Sequence, residues 1–189
     1  MAPESEVGGE RKAAVLETGR LVLRRLSMDD APFLLELLNE PSFLRYIGDK
    51  GVRTEADARR YVEMGPVASY ERFGFGLWRV ELKESGEAIG MCGLLKRDAL
   101  PDVDVGFAFL PRHWSKGYAF ESASAVVAHA RNAFGLKRVV AITSPDNVAS
   151  IRLLEKLGFR FERMARVPED GPEVRLFGIG GRAESDGCA

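Results

Sequence analysis

The stretch Asp104-Val-Gly-Phe-Ala-Phe-Leu-Pro-Arg-His-Trp-Ser-Lys-Gly-Tyr-Ala-Phe-Glu121 reads as a strand that passes through a short basic loop straight into a helix. Pro111 stops the strand, and the small residues Gly117 and Ala119 leave the first helical turn uncovered. The N–H groups of that turn have no partner inside the helix, and together with the helix dipole they make an anion site. Arg112 and Lys116 add positive charge beside it. A diphosphate suits such a site; a tight turn with a glycine for close packing is the plainer alternative. Neither G-x-G-x-x-G nor G-x-x-x-x-G-K-[S/T] occurs, which removes the dinucleotide fingerprint and the P-loop.

Upstream, Arg20 to Leu26 reads as a strand, and Ser27 caps a helix carrying Phe33, Leu34, Leu37 and Leu38 that Pro41 should end. A second helical stretch runs from Thr54 toward Tyr70, with Gly65-Pro66 expected to break or kink it. Strands Phe75 to Lys83 and Ala88 to Lys96 flank the hairpin turn Glu84-Ser-Gly-Glu87, and a third runs from Val103 to Leu110. Downstream come a helix from Gly117 to Phe134 closed by Gly135 and a strand from Arg138 to Thr143. A helix from Asn147 to Leu157 closed by Gly158 precedes strands Phe159 to Arg166 and Val174 to Ile179. The order β-α-α-β-β-β-α-β-α-β-β predicts an α/β (α+β) domain with a mixed sheet over residues 18–180. Residues 1–17 and 181–189, rich in Gly, Ala, Ser and charge, are expected to be flexible tails.

The 189 residues suffice for one such domain, and 46% hydrophobic with 29% charged residues is ordinary for a soluble one. Net charge is −1, without a basic block, which argues against nucleic acid or an anionic membrane as partner. Of the two cysteines, Cys92 lies in an apolar run and Cys188 is penultimate, so no disulfide is expected. His113 and His129 stand alone, without metal-ligand spacing. The polar start of the chain lacks a signal peptide's apolar stretch, and no run approaches the ~20 residues of a membrane span. A cytoplasmic protein is expected, as a monomer or homodimer.

A second motif lies at Asn147-Val-Ala-Ser-Ile-Arg-Leu-Leu-Glu-Lys-Leu-Gly-Phe159. Asn147 and Ser150, three apart, share a face at the helix start. Read locally, Asn147 is a helix cap and Ser150 a surface hydroxyl.

Taken together, the opening ETGRLVLRRLSMDDA (17–31), the VGFAFLPRHWSKGYAFES segment (105–122) and the NVASIRLLEKLGF helix (147–159) resemble the GCN5-related N-acetyltransferase (GNAT) superfamily, in its RimJ/RimL-like branch. The resemblance covers nearly the whole chain from Thr18 to Ile179. It implies a central sheet splayed at its middle with helices on both faces, and acetyl-coenzyme A whose pantetheine arm lies in the split. The superfamily's pyrophosphate signature, Q/R-x-x-G-x-G/A, falls on Trp114 to Ala119; Trp114 departs from it, while Gly117 and Ala119 match. The resemblance makes Phe109, Leu110, Arg112, Lys116, Gly117, Tyr118, Ala119, Asn147 and Ser150 the expected cofactor contacts, with no metal.

Acetyl transfer to an amine needs a proton removed from the amine, an oxyanion held and a thiolate protonated. Asp104, before the VGF triplet, is the candidate base, with Glu121 and Asp102 as rivals; backbone N–H groups around Phe109 are candidate oxyanion donors. The tyrosine that many members use as acid falls on Leu154, so Ser150, one turn earlier, is the candidate donor. Cys92 is expected in the core, His113 facing solvent and His129 structural. The acceptor, a protein N-terminal or small-molecule amine, is expected between Phe43, Tyr46 and the Pro168–Pro172 loop, with Glu169, Asp170 and Asp102 making the mouth acidic. A non-catalytic acyl-coenzyme A sensor of the same fold, suggested by Leu154 and Trp114, and another nucleotide-binding α/β protein are the competing readings.

Overall fold

The computed structural model describes residues 13–181, so most of the expected tails (1–17 and 181–189), Cys188 included, lies outside the described residues. Residues 14–17, expected within a tail, instead form an edge strand, β1 (Ala14–Glu17), antiparallel to β2 (Leu21–Arg25). Val15 and Leu16 half-bury there against the main core. Four residues are too few for a periodic signal, so only pairing reveals the strand.

Ser27 and Asp30 form a capping box that starts a short turn leading into helix α1 (Ala31–Asn39). Leu34, Leu37 and Leu38 are buried, each contributing about 1.5–3 kcal/mol relative to exposure. Pro41 ends α1 as expected but also opens a further helix, α2 (Pro41–Tyr46), because its fixed φ and missing N–H suit a first helical position. Thr54 caps α3 (Glu55–Val62) through the Asp57 amide. Gly65-Pro66 does not break the chain's helical path. The turn widens over Glu63–Val67 to accommodate the missing donor, and α4 (Ala68–Phe73) continues to a left-handed Gly74.

Strands β3 (Leu77–Leu82), β4 (Ala88–Leu95), β5 (Asp104–Phe109), β6 (Arg138–Thr143), β7 (Arg160–Arg166) and β8 (Glu173–Gly180) complete a sheet ordered β1-β2-β3-β4-β5-β6-β8-β7. Helices α5 (Tyr118–Phe134) and α6 (Val148–Lys156) flank it. All strand pairs are antiparallel except β5 with β6, which meet in a single register pair, Asp104 with Val140. Beyond that pair the two strands diverge, and the sheet is split.

Side chains alternate across β5. Val105, Phe107 and Phe109 join the core shared with α5, whereas Ala108 and Leu110 join the core beneath α1 and α3. Asp104 shares the second face. Across the split on that face lies a separate small cluster of Leu100, Val140 and Leu176. Asp104 therefore lies at the closed end of the split, between two apolar clusters.

Candidate active site

The free edge of β5 is the first component. Leu110 donates its N–H to the Ile89 carbonyl at 3.0 Å, which makes the neighbouring Gly90–Phe109 pair one whose own amide groups point away from each other. The N–H and C=O of Phe109, and of Phe107 two residues earlier, thus face β6 across the split, where no register pair reaches them. Leu110 is different. Its N–H is spent on Ile89, its carbonyl accepts the His113 N–H at 2.9 Å, and its side chain is fully buried. That leaves Leu110, expected as a cofactor contact, without a free backbone group.

The loop after β5 delivers the second component. Gly117 is the N-cap of α5 at φ 82°, a left-handed conformation that a side chain would strain, and it follows Ser115 at φ 60°. The N–H groups of Tyr118, Ala119 and Phe120 are the unpaired donors of that helix start. Arg20 braces the loop from below: its guanidinium donates to the Lys116 carbonyl at 3.0 Å and lies 4.5 Å over the Tyr118 ring. Glu121, a rival for general base, accepts from Thr18 Oγ1, the Arg20 N–H and Arg20 Nε, and works as a strut between strand and helix.

Two loop residues behave differently from expectation. Arg112 is ion-paired with Glu36 at 2.5 Å and reaches Glu87 at 3.5 Å, so its charge is already balanced; Lys116 is the loop's exposed cation. His113 does not face solvent. It is buried, with Nε2 at 3.0 Å from Glu87 Oε1.

The third component is Asp104, 1% exposed. Oδ2 accepts from Arg97 Nε at 2.6 Å, while Oδ1 makes no hydrogen bond of its own. Burial pushes its carboxyl up to about 6, against the opposing pull of Arg97 and of the Ile142 N–H on β6. The Arg97 charge also reaches Tyr61, whose hydroxyl burial pushes up to about 12, and Lys50, whose ammonium is held down by burial and by Arg97. Sequence reasoning missed Arg97, Tyr61 and Lys50, since no local pattern marks them. Asp102, the other rival base, is held by Arg138 at 2.8 Å, and Arg138 also binds Glu162.

On α6, Asn147 Oδ1 accepts the Ser150 N–H at 3.1 Å, the cap expected from local reading. Among the described residues the Ser150 hydroxyl has no hydrogen bond. Leu154 is buried in the core and Cys92 is fully buried, its thiol pushed up to about 12 by burial. Neither serves as acid or nucleophile. His129 packs edge-on against Trp78 and Phe134, a structural place. Of the expected acceptor surroundings, Phe43 is buried in the α1–α3 core, Asp102 is ion-paired with Arg138, which it shares with Glu162, and Glu169 and Asp170 are exposed on their loop. Among the described residues no three His, Cys, Asp or Glu side chains cluster to hold a metal, and no helix is long and apolar enough to cross a membrane.

A free strand edge thus leads into an uncovered helix start beside a split in the sheet. The chain belongs to the acetyltransferase (GNAT) family, whose domain it matches over residues 20–160. It is an acetyltransferase. An uncharacterized N-acetyltransferase of Bacillus subtilis, YoaA, is 32% identical over 156 residues, covering 80% of this chain and 86% of that one. A crystal structure of an acetyltransferase from Agrobacterium tumefaciens superposes with a TM-score of 0.74 at 27% identity, over 88% of this chain and 94% of that one. RimL, a ribosomal alpha-N-protein acetyltransferase solved in complex with coenzyme A, shares the fold with a TM-score of 0.70 at 16% identity, covering 89% and 98%.

Proposed function

We propose that the protein transfers the acetyl group of acetyl-coenzyme A to a primary amine, on a protein N-terminus or a small molecule, by direct attack in a ternary complex. The observation that carries this reading is the continuity of the β5 edge with the α5 start. Unpaired N–H groups at Phe107 and Phe109 run toward unpaired N–H groups at 118–120, a track of fixed donors that fits an amide-bearing arm followed by a diphosphate.

Within that track a backbone N–H at Phe109 is the candidate to stabilise negative charge on the thioester oxygen. The Asp104 carboxylate lies three residues back from Phe107, roughly 10 Å along the strand. It therefore accepts the amine's proton through water rather than directly. Ser150, with its hydroxyl uncommitted, is the donor to the departing sulfur, and the free amide NH₂ of Asn147 is available to the pantetheine arm. The naming of relatives as N-acetyltransferases favours turnover over a sensor role.

The test is coenzyme A release from acetyl-coenzyme A against peptides beginning with Ala or Ser and a panel of small amines, with wild type and Ser150→Ala. Release with at least one amine, reduced about tenfold or more in the variant, is expected. Tight binding of acetyl-coenzyme A without release across the panel would overturn the reading.

A further inference from the structure

Arg45 and Asp146 meet across the open end of the split. Their side chains approach to 2.9 Å although they lie 101 positions apart in the chain. Arg45 is on α2, which the burial of Phe43 in one core with Leu110 fixes beside the end of β5. Asp146 lies just past the end of β6 at Thr143, directly before the α6 cap Asn147 and four residues before Ser150. Because β5 and β6 share only the Asp104–Val140 register pair, their far ends stand apart, and this ion pair spans the gap. It is not built to hold the fold. Arg45 is 66% exposed and Asp146 54%, and an ion pair in water contributes little to stability. The pair instead reveals the chemistry of the place. The Arg45 guanidinium touches two partners, the Asp146 carboxylate and the Tyr46 ring, whose centroid is 5.0 Å away. A carboxylate beside an aromatic face is the environment in which an organic ammonium binds. The Ser144 hydroxyl, and then Arg45, hold the Asp146 carboxyl below the usual carboxylate range, so it stays charged. Asp102 is tied to the largely buried Arg138, whereas the partner of Asp146 is one that water or another cation can replace.

We propose that Asp146 and the face of Tyr46 form the entry site for the acceptor's ammonium group, and that Arg45 is a resident cation which the acceptor displaces. This rests on the acetyl-transfer reading and adds to it the residues that select a cationic acceptor. The exchange is even in charge: one cation leaves the carboxylate as another arrives, so Asp146 keeps a counter-ion throughout. Arg45, on an exposed helix face, rehydrates as it leaves. The two members of the pair therefore act in opposite directions, Asp146 attracting the acceptor and Arg45 competing with it. Asp146 binds and takes no proton; that part stays with Asp104. A neutral or anionic acceptor gains nothing at the site and meets an intact pair.

KM for the amine is measured for wild type, Arg45→Ala, Asp146→Asn and the double variant, alongside KM for acetyl-coenzyme A. The amine is the Ala- or Ser-leading peptide or small amine that wild type turns over in the release screen. An ion pair that merely ties α2 to the β6–α6 loop is lost equally in either single variant, and both would then move KM the same way. An entry site moves it in opposite directions. Arg45→Ala should lower KM for the amine about threefold, and Asp146→Asn should raise it about tenfold. The double variant should behave as Asp146→Asn does, and Tyr46→Leu should raise KM about threefold. KM for acetyl-coenzyme A should stay within about twofold in every variant, since an exposed pair adds little to the fold that holds the cofactor. Melting curves establish that each variant is folded. Shifts of the same sign in the two folded single variants, or no shift in either, would overturn the entry site while leaving the acetyl-transfer reading intact. Failure of wild type to release coenzyme A with any amine would overturn both.

Discussion

Two buried aspartates, each 1% exposed and each facing an arginine, end up on opposite sides of the ordinary carboxyl value. Asp30 lies under α1. Burial would push its carboxyl up, but hydrogen bonds from Arg24, the Ser27 N–H and Arg79 outweigh it and hold the group at about 2. Both Asp30 oxygens are occupied, with Arg24 gripping them at 2.9 and 2.7 Å. Asp104 has one arginine on one oxygen, and burial prevails, raising it to about 6. The number of donors, not depth, decides which carboxylate is locked as a structural tie and which can exchange a proton near neutrality. The saturated one belongs to the scaffold. The under-satisfied one sits at the closed end of the split.

The comparison can be broken at either end. Asp30→Asn removes the counter-charge of the buried Arg24 and the largely buried Arg79, whose remaining shared partner is Glu81. Stripping one partner from a buried pair costs about 3–5 kcal/mol, lessened here by Glu81, so a loss near 3 kcal/mol is expected in urea unfolding. Acetyl transfer per folded molecule should be retained. If Asp30→Asn instead abolished activity in a fully folded protein, the division between scaffold and site would fail.

Asp104→Asn is expected to do the reverse. Its partner Arg97 is 36% exposed and rehydrates when left alone, so the urea midpoint should barely move. The value of kcat/KM should fall about 100-fold, within the range of a lost general base. A folded variant with full activity would remove Asp104 from the mechanism.

A smaller effect is expected on the pH profile. With the Asp104 carboxyl at about 6, activity should decline as pH falls through that value, because the base is then protonated. Arg97→Gln withdraws the charge that opposes burial and should move this acidic limb to higher pH, a shift a purely packing role would not produce.

The smallest signal is in stability against pH, and its sign differs between the two groups. Asp104 keeps its proton in the fold at pH values where the unfolded chain, near 3.8, has lost it; its contribution therefore declines as pH rises from about 4 to about 6. Asp30 binds its proton less readily in the fold, so its contribution is present above 3.8 and is lost as pH falls toward about 2. Melting curves of wild type and Asp104→Asn across pH 4 to 6 should differ in slope only there.

The Asp104–Glu121 stretch was readable because its signals are local: a proline stop, a glycine at a helix start and uncovered first-turn donors. The strands from β2 onward and the helix starts near Thr54 and Asn147 were readable for the same reason, but β1 and α2 were not. Arg97 was not, since its meaning comes from meeting Asp104, and neither was the burial of His113 on Glu87, 26 residues away in the chain. Phe43 reads equally well as core or as pocket wall until α1 and α3 close over it.

Periodicity, capping and turn chemistry act within a few residues, so the chain alone determined most of its strands and helices and the glycine-led start of α5, whereas β1 and α2 emerged only on folding. The split between β5 and β6, the saturation of Asp30, the exposure of Asp104 to a single arginine and the meeting of Arg45 with Asp146 were decided only in the folded molecule. Each depends on which distant group arrives as a partner, and burial magnifies the difference between one arginine and two.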